Sequence, residues 1–174
     1  MVVKKVLRKR KNNQIQKLKR ILKTRKKIKI YLAGPIAGLE EQQDYRQSIA
    51  ESLKRVSEKF EILDPWEREK LEMPDLTYSD IEDPEERKQF AEEIVIRDLK
   101  DIQSADILIA YVFRISSGTS MEIFWMNRVL RKPVITIYTA KEKLPLWIYI
   151  HSSLVFTSRR KFIIWLRKVL EGKL

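Results

Sequence analysis

The chain has 174 residues, 44% of them hydrophobic, which suits one domain with a real core and excludes a disordered tail. It has no cysteine and one histidine, which excludes disulfides, thiolate metal sites and histidine-based metal clusters and fits a cytoplasmic protein. The net charge of +12 is unevenly placed: residues 1–27 hold 13 of the 36 basic side chains and none of the 24 acidic ones, which leaves 23 basic against 24 acidic, a net of −1, over residues 28–174.

The chain therefore divides into a basic arm, residues 1–27, and a nearly neutral domain, residues 28–174. In the arm, Ile15, Leu18, Ile21 and Leu22 form a narrow apolar stripe, which predicts a basic amphipathic helix from about Asn13 to Lys26. Such a helix packs on its own domain or a neighbouring subunit, stays solvated, or meets nucleic acid or anionic lipid. No apolar run approaches the roughly eighteen residues of a membrane-spanning helix, and the N-terminus lacks the apolar core of a signal peptide.

Ile28 to Ala33 reads as the first strand, closed by Gly34-Pro35, with Gly34 and Gly38 suited to close approach or unusual dihedrals. Asp44 to Lys59 is amphipathic through Tyr45, Ile49, Leu53 and Val56, and Phe60 to Leu63 is the second strand. Asp64-Pro65-Trp66 follows. The proline is expected to prevent a helix there, which predicts an open, aromatic-bearing loop running into an acidic, lid-like excursion over residues 67–84. Asp83-Pro84 then starts a helix in the favoured way, with aspartate at the cap and proline at the first helical position, reaching Ser104.

Asp106 to Phe113 is apolar enough for a central strand. Val134 to Tyr138 and Leu154 to Phe156 are the last two strands, and Arg160 to Leu170 is the closing helix. Alternating strands and helices imply a five-stranded parallel sheet with helices on both faces and right-handed crossovers.

Between the third strand and a helical pattern over Met121 to Arg131 lies Ser116-Ser117-Gly118-Thr119-Ser120-Met121-Glu122. A strand, a small-residue turn and a helix start are how α/β proteins build ligand sites. Glu122, read as lying in the first helical turn, has two available roles. It can complete a capping box with Thr119, or it can be a nucleophile kept ionised by the helix dipole. Asp98 is either an exposed aspartate paired with Arg97 or Lys100, or a buried acid beside Ile94, Leu99 and Ile102. His151, the single histidine, reads as a satisfied structural residue near the sheet end.

Ile30-Tyr31-Leu32-Ala33-Gly34-Pro35, Arg97-Asp98-Leu99 with Ala105-Asp106, Ser117-Gly118-Thr119-Ser120-Met121-Glu122-Ile123 and Lys132-Pro133-Val134-Ile135 stand in the order and spacing of one family. Together they resemble the nucleoside 2-deoxyribosyltransferase family over residues 28 to about 138, with Trp147 to Ser152 similar to an archaeal or phage branch. The resemblance implies a flavodoxin-like, Rossmann-like sheet, assembly into homo-oligomers, and cleavage of the N-glycosidic bond of 2'-deoxynucleosides without metal or organic cofactor. It implies that a second nucleobase takes the sugar or, as in related 5'-monophosphate hydrolases, that water does.

By position the resemblance makes Glu122 the nucleophile, Asp98 the acid assisting base departure and Tyr31 the residue orienting Glu122. It lays the sugar and any 5' substituent over Gly34, Pro35, Ser116, Ser117, Gly118 and Thr119. The base then lies toward Asp64 and Trp66, where Trp66 stacks on it or fills a hydrophobic gap. Ser116 stands where many transferases have an aspartate, Phe124 replaces a frequent glycine, and Pro35-Ile36-Ala37 departs from the hydrolase pattern. The alternative reading is a catalytically silent nucleotide-binding module whose arm meets nucleic acid.

Overall fold

The computed structural model describes the backbone of residues 2–72 and 80–174 and the side chains from Lys11 onward. Five strands, β1 (Ile28–Ala33), β2 (Phe60–Leu63), β3 (Ile107–Val112), β4 (Val134–Tyr138) and β5 (Leu154–Phe156), form one sheet in the order β2-β1-β3-β4-β5. Every pairing is parallel, with Ile30 opposite Ile107 and Tyr31 opposite both Leu63 and Leu108. The helices are α1 (Val2–Thr24), α2 (Asp44–Val56), α3 (Pro65–Glu72), α4 (Pro84–Ser104), α5 (Ser117–Phe124), α6 (Leu146–His151) and α7 (Arg159–Leu170).

Strand alternation sorts the core into two layers. Ile28, Ile30 and Leu32 of β1 join Ile107, Ile109, Ile135 and Ile137 on one face, under Leu18 and Leu22 of α1, Ile49 and Leu53 of α2, and Phe162, Leu166 and Val169 of α7. Tyr31 and Ala33 point to the other face, with Leu108, Ala110 and Val112, under Ile102 of α4, Ile123 of α5, Met126 and Ile148 of α6. The connections leave β1 and β3 toward opposite ends of the sheet, so a crevice opens between their carboxyl ends, where α/β folds of this order bind ligands.

Three local expectations are corrected. Proline after Asp64 does not prevent a helix: α3 begins at Pro65. The restriction falls on the residue before proline, whereas proline itself suits the first helical position, where its missing N–H costs nothing. Asp64 serves this start, its Oδ1 accepting from the Trp66 N–H at 3.1 Å. The open loop is therefore a helix as far as Glu72, and residues 73–79 of the expected lid lie outside the described residues.

The arm's helix is longer than its apolar stripe predicted, and its second half is part of the core, with Leu18 fully buried and Leu22 1% exposed. Gln14 Nε2 and Lys17 Nζ donate to the Arg131 carbonyl at 3.2 and 2.9 Å, and Arg25 pairs with Asp106. The helix expected over Met121–Arg131 starts earlier, at Ser117, and after Phe124 widens into a π turn over Trp125–Val129, where the Leu130 N–H reaches the Trp125 carbonyl at 3.0 Å. Arg131 then leaves the helix in the left-handed region, at φ 53°.

Candidate active site

Tyr31 is the fourth of the six β1 residues, on the face packed against α4 and α5, and it is fully buried. Its hydroxyl donates to Glu122 Oε1 at 2.7 Å. The second oxygen, Oε2, is buried with no hydrogen-bond partner among the described residues. A carboxylate so placed is costly to ionise: burial first, then the negative charge of Asp98, push Glu122 up to about 7, against the opposing Tyr31 hydrogen bond and the Arg46 charge.

This corrects the reading of the α5 start. The cap is Ser116, whose Oγ accepts from the Thr119 N–H at 3.2 Å and donates to Thr119 Oγ1 at 2.8 Å. With the helix beginning at Ser117, Glu122 falls in the second turn, beyond reach of a capping box and of most of the dipole's effect, which fades within the first turn. The dipole therefore does not hold Glu122 ionised, and burial raises it instead.

Asp98 projects from α4 toward the same pair and acts electrostatically on both Tyr31 and Glu122. Its side chain is 18% exposed, and Oδ1 accepts from Arg97 Nε and Nη2 at 3.2 and 3.1 Å. Burial dominates the arginine's stabilisation of the charged form and pushes Asp98 up to about 6, with Glu69 and Asp101 adding repulsion. Asp98 is thus paired with Arg97, as one reading expected, yet it is half-buried and not exposed, and its charge acts on Glu122. Burial, followed by the charges of Glu122 and Asp98, holds the Tyr31 phenol well above its usual range, so it stays a donor.

The other sequence candidates ring this pair at the carboxyl ends of β1, β2 and β3. Gly34 and Pro35 are buried in the turn after β1. A Cβ on Gly34 would lie 2.2 Å from the Tyr45 hydroxyl and 3.1 Å from the Tyr111 carbonyl, so glycine is needed for this close approach. Asp64 is buried at the end of β2, and Trp66 is half-buried in α3 with Lys70 Nζ 4.6 Å from its ring. Thr119 is buried, while Ser117 and Gly118 are exposed at the α5 start.

Arg46 is the residue that sequence reasoning missed. It is 1% exposed and donates to the carbonyls of Leu32 and Gly34, both at 2.9 Å, to Gln43 Oε1 at 2.7 Å and to Asp64 Oδ1 at 2.8 Å. A signal was available: Arg46 stands three and seven residues before Ile49 and Leu53, on the inward stripe of its helix. A charge at that position must be paired.

His151 is not with these residues. It is buried beside α1, its Nδ1 2.8 Å from the Trp147 carbonyl and its ring stacked on Trp147 at 5.5 Å, with Phe124 edge-on at 5.2 Å. These rings and Lys11 line a separate groove of about 690 Å³. Among the described residues no cluster of three or more His, Cys, Asp or Glu side chains is arranged to hold a metal ion, and no helix is long and apolar enough to cross a membrane.

Comparison with known proteins bears on the fold and the family. Comparison with curated proteins gives no match. A solved 2-deoxyribosyltransferase from Bacillus psychrosaccharolyticus superposes with a TM-score of 0.59 at 23% identity, covering 78% of this chain and 90% of that one. A conserved protein from Enterococcus faecalis V583 superposes with a TM-score of 0.57 at 15% identity, covering 85% and 99%. These likenesses establish the fold, and the family model described as nucleoside 2-deoxyribosyltransferase matches residues 30–162, most of the chain and all of the ring around Glu122, so the chain belongs to that family.

Proposed function

We propose that the protein cleaves the N-glycosidic bond of a 2'-deoxynucleoside or its 5'-monophosphate through a covalent deoxyribosyl-Glu122 and passes the sugar to another nucleobase. The observation that carries this reading is the unequal state of the two Glu122 oxygens: Oε1 is held by Tyr31 at 2.7 Å, and Oε2 is buried with no partner. One oxygen is anchored, and the other holds no hydrogen bond that an attack would have to break.

In the first step Oε2 forms a bond to C1' while the C1'–N bond breaks. The electron pair leaves with the base, which takes a proton from the Asp98 carboxyl. In the second step a nitrogen of the incoming base attacks C1', Glu122 leaves as carboxylate, and the proton from that nitrogen returns to Asp98. Retention at C1' follows from two displacements. Burial suits Asp98 to its part, since an acid held up to about 6 carries a proton in a useful fraction of molecules near neutral pH.

Gly34, Pro35 and Ser116 to Thr119 take the sugar side in this reading, and Asp64 and Trp66 the base side. The exposed Ser117 and Gly118 at the α5 start favour room for a 5' substituent. Hydrolysis by the same covalent intermediate differs only in that water replaces the second base. Self-association belongs to the same proposal. Met121 and Leu146 are each 70% exposed and Trp147 is 65% exposed along α5 and α6, an apolar face of the kind that meets a second copy.

The test is chromatographic. Each 2'-deoxynucleoside and each 5'-monophosphate is incubated with and without a second base. A new nucleoside, abolished in Glu122→Gln, supports transfer; free base alone supports hydrolysis. No base from any donor overturns the proposal in favour of a silent nucleotide-binding module.

A further inference from the structure

Arg46 is the most deeply buried charge near the crevice, and each part of its side chain is committed. The Nε and both terminal nitrogens reach four acceptors on four different segments: Gln43 at the start of α2, Leu32 in β1, Gly34 in the turn beyond it, and Asp64 at the end of β2. Gln43 extends the clamp, its Nε2 donating to the carbonyls of Pro35 and Leu39 at 3.1 and 2.7 Å. A planar fork of donors is needed to reach acceptors spread this way, and a lysine's three donors on one nitrogen cannot.

The same guanidinium is placed to act on the reacting groups. It is bonded to the carbonyl of Leu32, the residue after Tyr31, and its charge is felt by Tyr31 and Glu122. The groups facing Glu122 are Tyr31 from β1, Asp98 from α4 and Arg46 from α2. Tyr31 is a neutral donor and Asp98 is repulsive, so Arg46 is the positive charge in this set. Asp98 in turn faces Arg97, Glu69 and Asp101, and Arg46 faces Asp64 and Tyr45.

We propose that Arg46 is a positioning residue of this site, tying the carboxyl ends of β1 and β2 into one rigid rim and supplying the fixed positive charge against which Glu122 ionises. The inference rests on the reading of Glu122 as nucleophile and extends it to a residue that touches neither substrate nor reacting atoms. Asp64 completes the device. Its Oδ1 is taken by Arg46 and by the Trp66 N–H, and its buried Oδ2 has no partner among the described residues. The pair thus holds the α3 start, and with it Trp66, against the β1 turn.

The experiment compares Arg46→Lys with the double variant Arg46→Met/Asp64→Leu. Removing both partners avoids leaving one buried charge alone, which is the main threat to folding. Two readouts are taken: the pH profile of kcat/KM, and the ionisation of Glu122 followed by carboxyl carbon NMR of ¹³C-glutamate-labelled protein, assigned through Glu122→Gln. In the double variant the Glu122 midpoint moves to higher pH, the acidic limb of kcat/KM moves with it, and kcat falls more than KM rises. A displacement of one pH unit lowers kcat/KM about tenfold on that limb. In Arg46→Lys the charge remains, so the midpoint stays near that of the wild type while kcat falls because the rim is loosened.

A double variant whose Glu122 titrates at the wild-type pH overturns the proposal. So does a loss confined to KM in Arg46→Lys, where Asp64 is intact, and so does unfolding of both variants, which would make Arg46 purely structural. The NMR readout needs no turnover. If the wild type releases no base, the proposed function fails, while the titration still decides whether Arg46 controls Glu122.

Discussion

The Tyr31 hydroxyl donates to Glu122 Oε1 at 2.7 Å, joining a strand residue to a helix residue 91 positions later. The bond exists because odd-numbered β1 side chains face α4 and α5, and because the α5 start at Ser117 turns Glu122 toward the sheet. In Tyr31→Phe, Oε1 loses its partner in a buried place, at a cost of about 1–3 kcal/mol. Since that hydrogen bond lowers the Glu122 pKa, its loss raises it. The acidic limb of kcat/KM should therefore move to higher pH in Tyr31→Phe. A limb unmoved from wild type would show that Tyr31 does not tune the carboxylate.

The two carboxyls make a second prediction about pH. Catalysis as proposed needs Glu122 ionised, favoured above about 7, and Asp98 protonated, favoured below about 6. The competent form is then a minority species at every pH, and kcat/KM should trace a narrow bell with its maximum at about 6.5, midway between the two. The limbs belong to the coupled pair and not to either residue alone. Asp98→Asn should lower kcat/KM by roughly 10²–10⁴ and remove the alkaline limb. A bell surviving in that variant would assign the proton to another group.

Burial of Glu122 also predicts a stability effect with a definite sign. Its folded pKa, about 7, lies above the ordinary value of 4.5, so the folded state binds more protons across that window. Its contribution is most favourable below the unfolded pKa and is lost as pH rises through about 7. Glu122→Gln keeps an oxygen for Tyr31 and removes the charge. It should therefore stabilise the protein at pH 8 by about 1–3 kcal/mol while abolishing base release, with little change at pH 4. At this chain length each kcal/mol moves Tm by about 2–4 °C. Thermal denaturation of both proteins at the two pH values checks this, and a variant destabilised at pH 8 would show that the carboxylate is not strained there.

Much of the fold was legible because it is carried by period. The strands over residues 60–63, 134–138 and 154–156 and the Asp83-Pro84 helix start fall where apolar runs and cap chemistry placed them. The site of Glu122 was legible because strand-end turns and helix starts are local signals. Tyr31 and Asp98 carry no such local mark, one lying within β1 and the other well inside α4, so their nearness to Glu122 was an expectation from the family resemblance and not from period or cap chemistry. Arg46 was not legible, because its acceptors on β1 and β2 lie up to 18 residues away and only the folded rim assembles them. The α5 cap was misread because two small hydroxyl residues three apart, Ser116 and Thr119, both suit a helix start, and hydrogen-bond geometry selects Ser116.

That cap supplies a further test. Ser116→Ala removes the acceptor of the Thr119 N–H, and cap losses of this kind cost about 0.5–2 kcal/mol. Thr119→Ala leaves the cap intact and should cost less through this mechanism. Equal or reversed losses in chemical denaturation would return the cap to Thr119.

The basic N-terminal helix makes the last prediction, because its two halves should behave differently on truncation. Leu18 and Leu22 are buried against the same cluster as Phe162 and Leu166, while the side-chain hydrogen bonds of Gln14 and Lys17 tie the helix to the end of the α5 segment at Arg131. Deleting residues 1–26 would uncover that cluster, and Leu22→Ala alone should cost about 2–5 kcal/mol. Deleting residues 1–10 removes five basic side chains and none of these contacts, so the fold and turnover should survive. Denaturation midpoints and base release measured on the three variants decide the matter. Full stability after loss of residues 1–26 would make the whole helix a dispensable arm, whereas loss of activity in a folded chain lacking only residues 1–10 would bring the basic segment into the site itself.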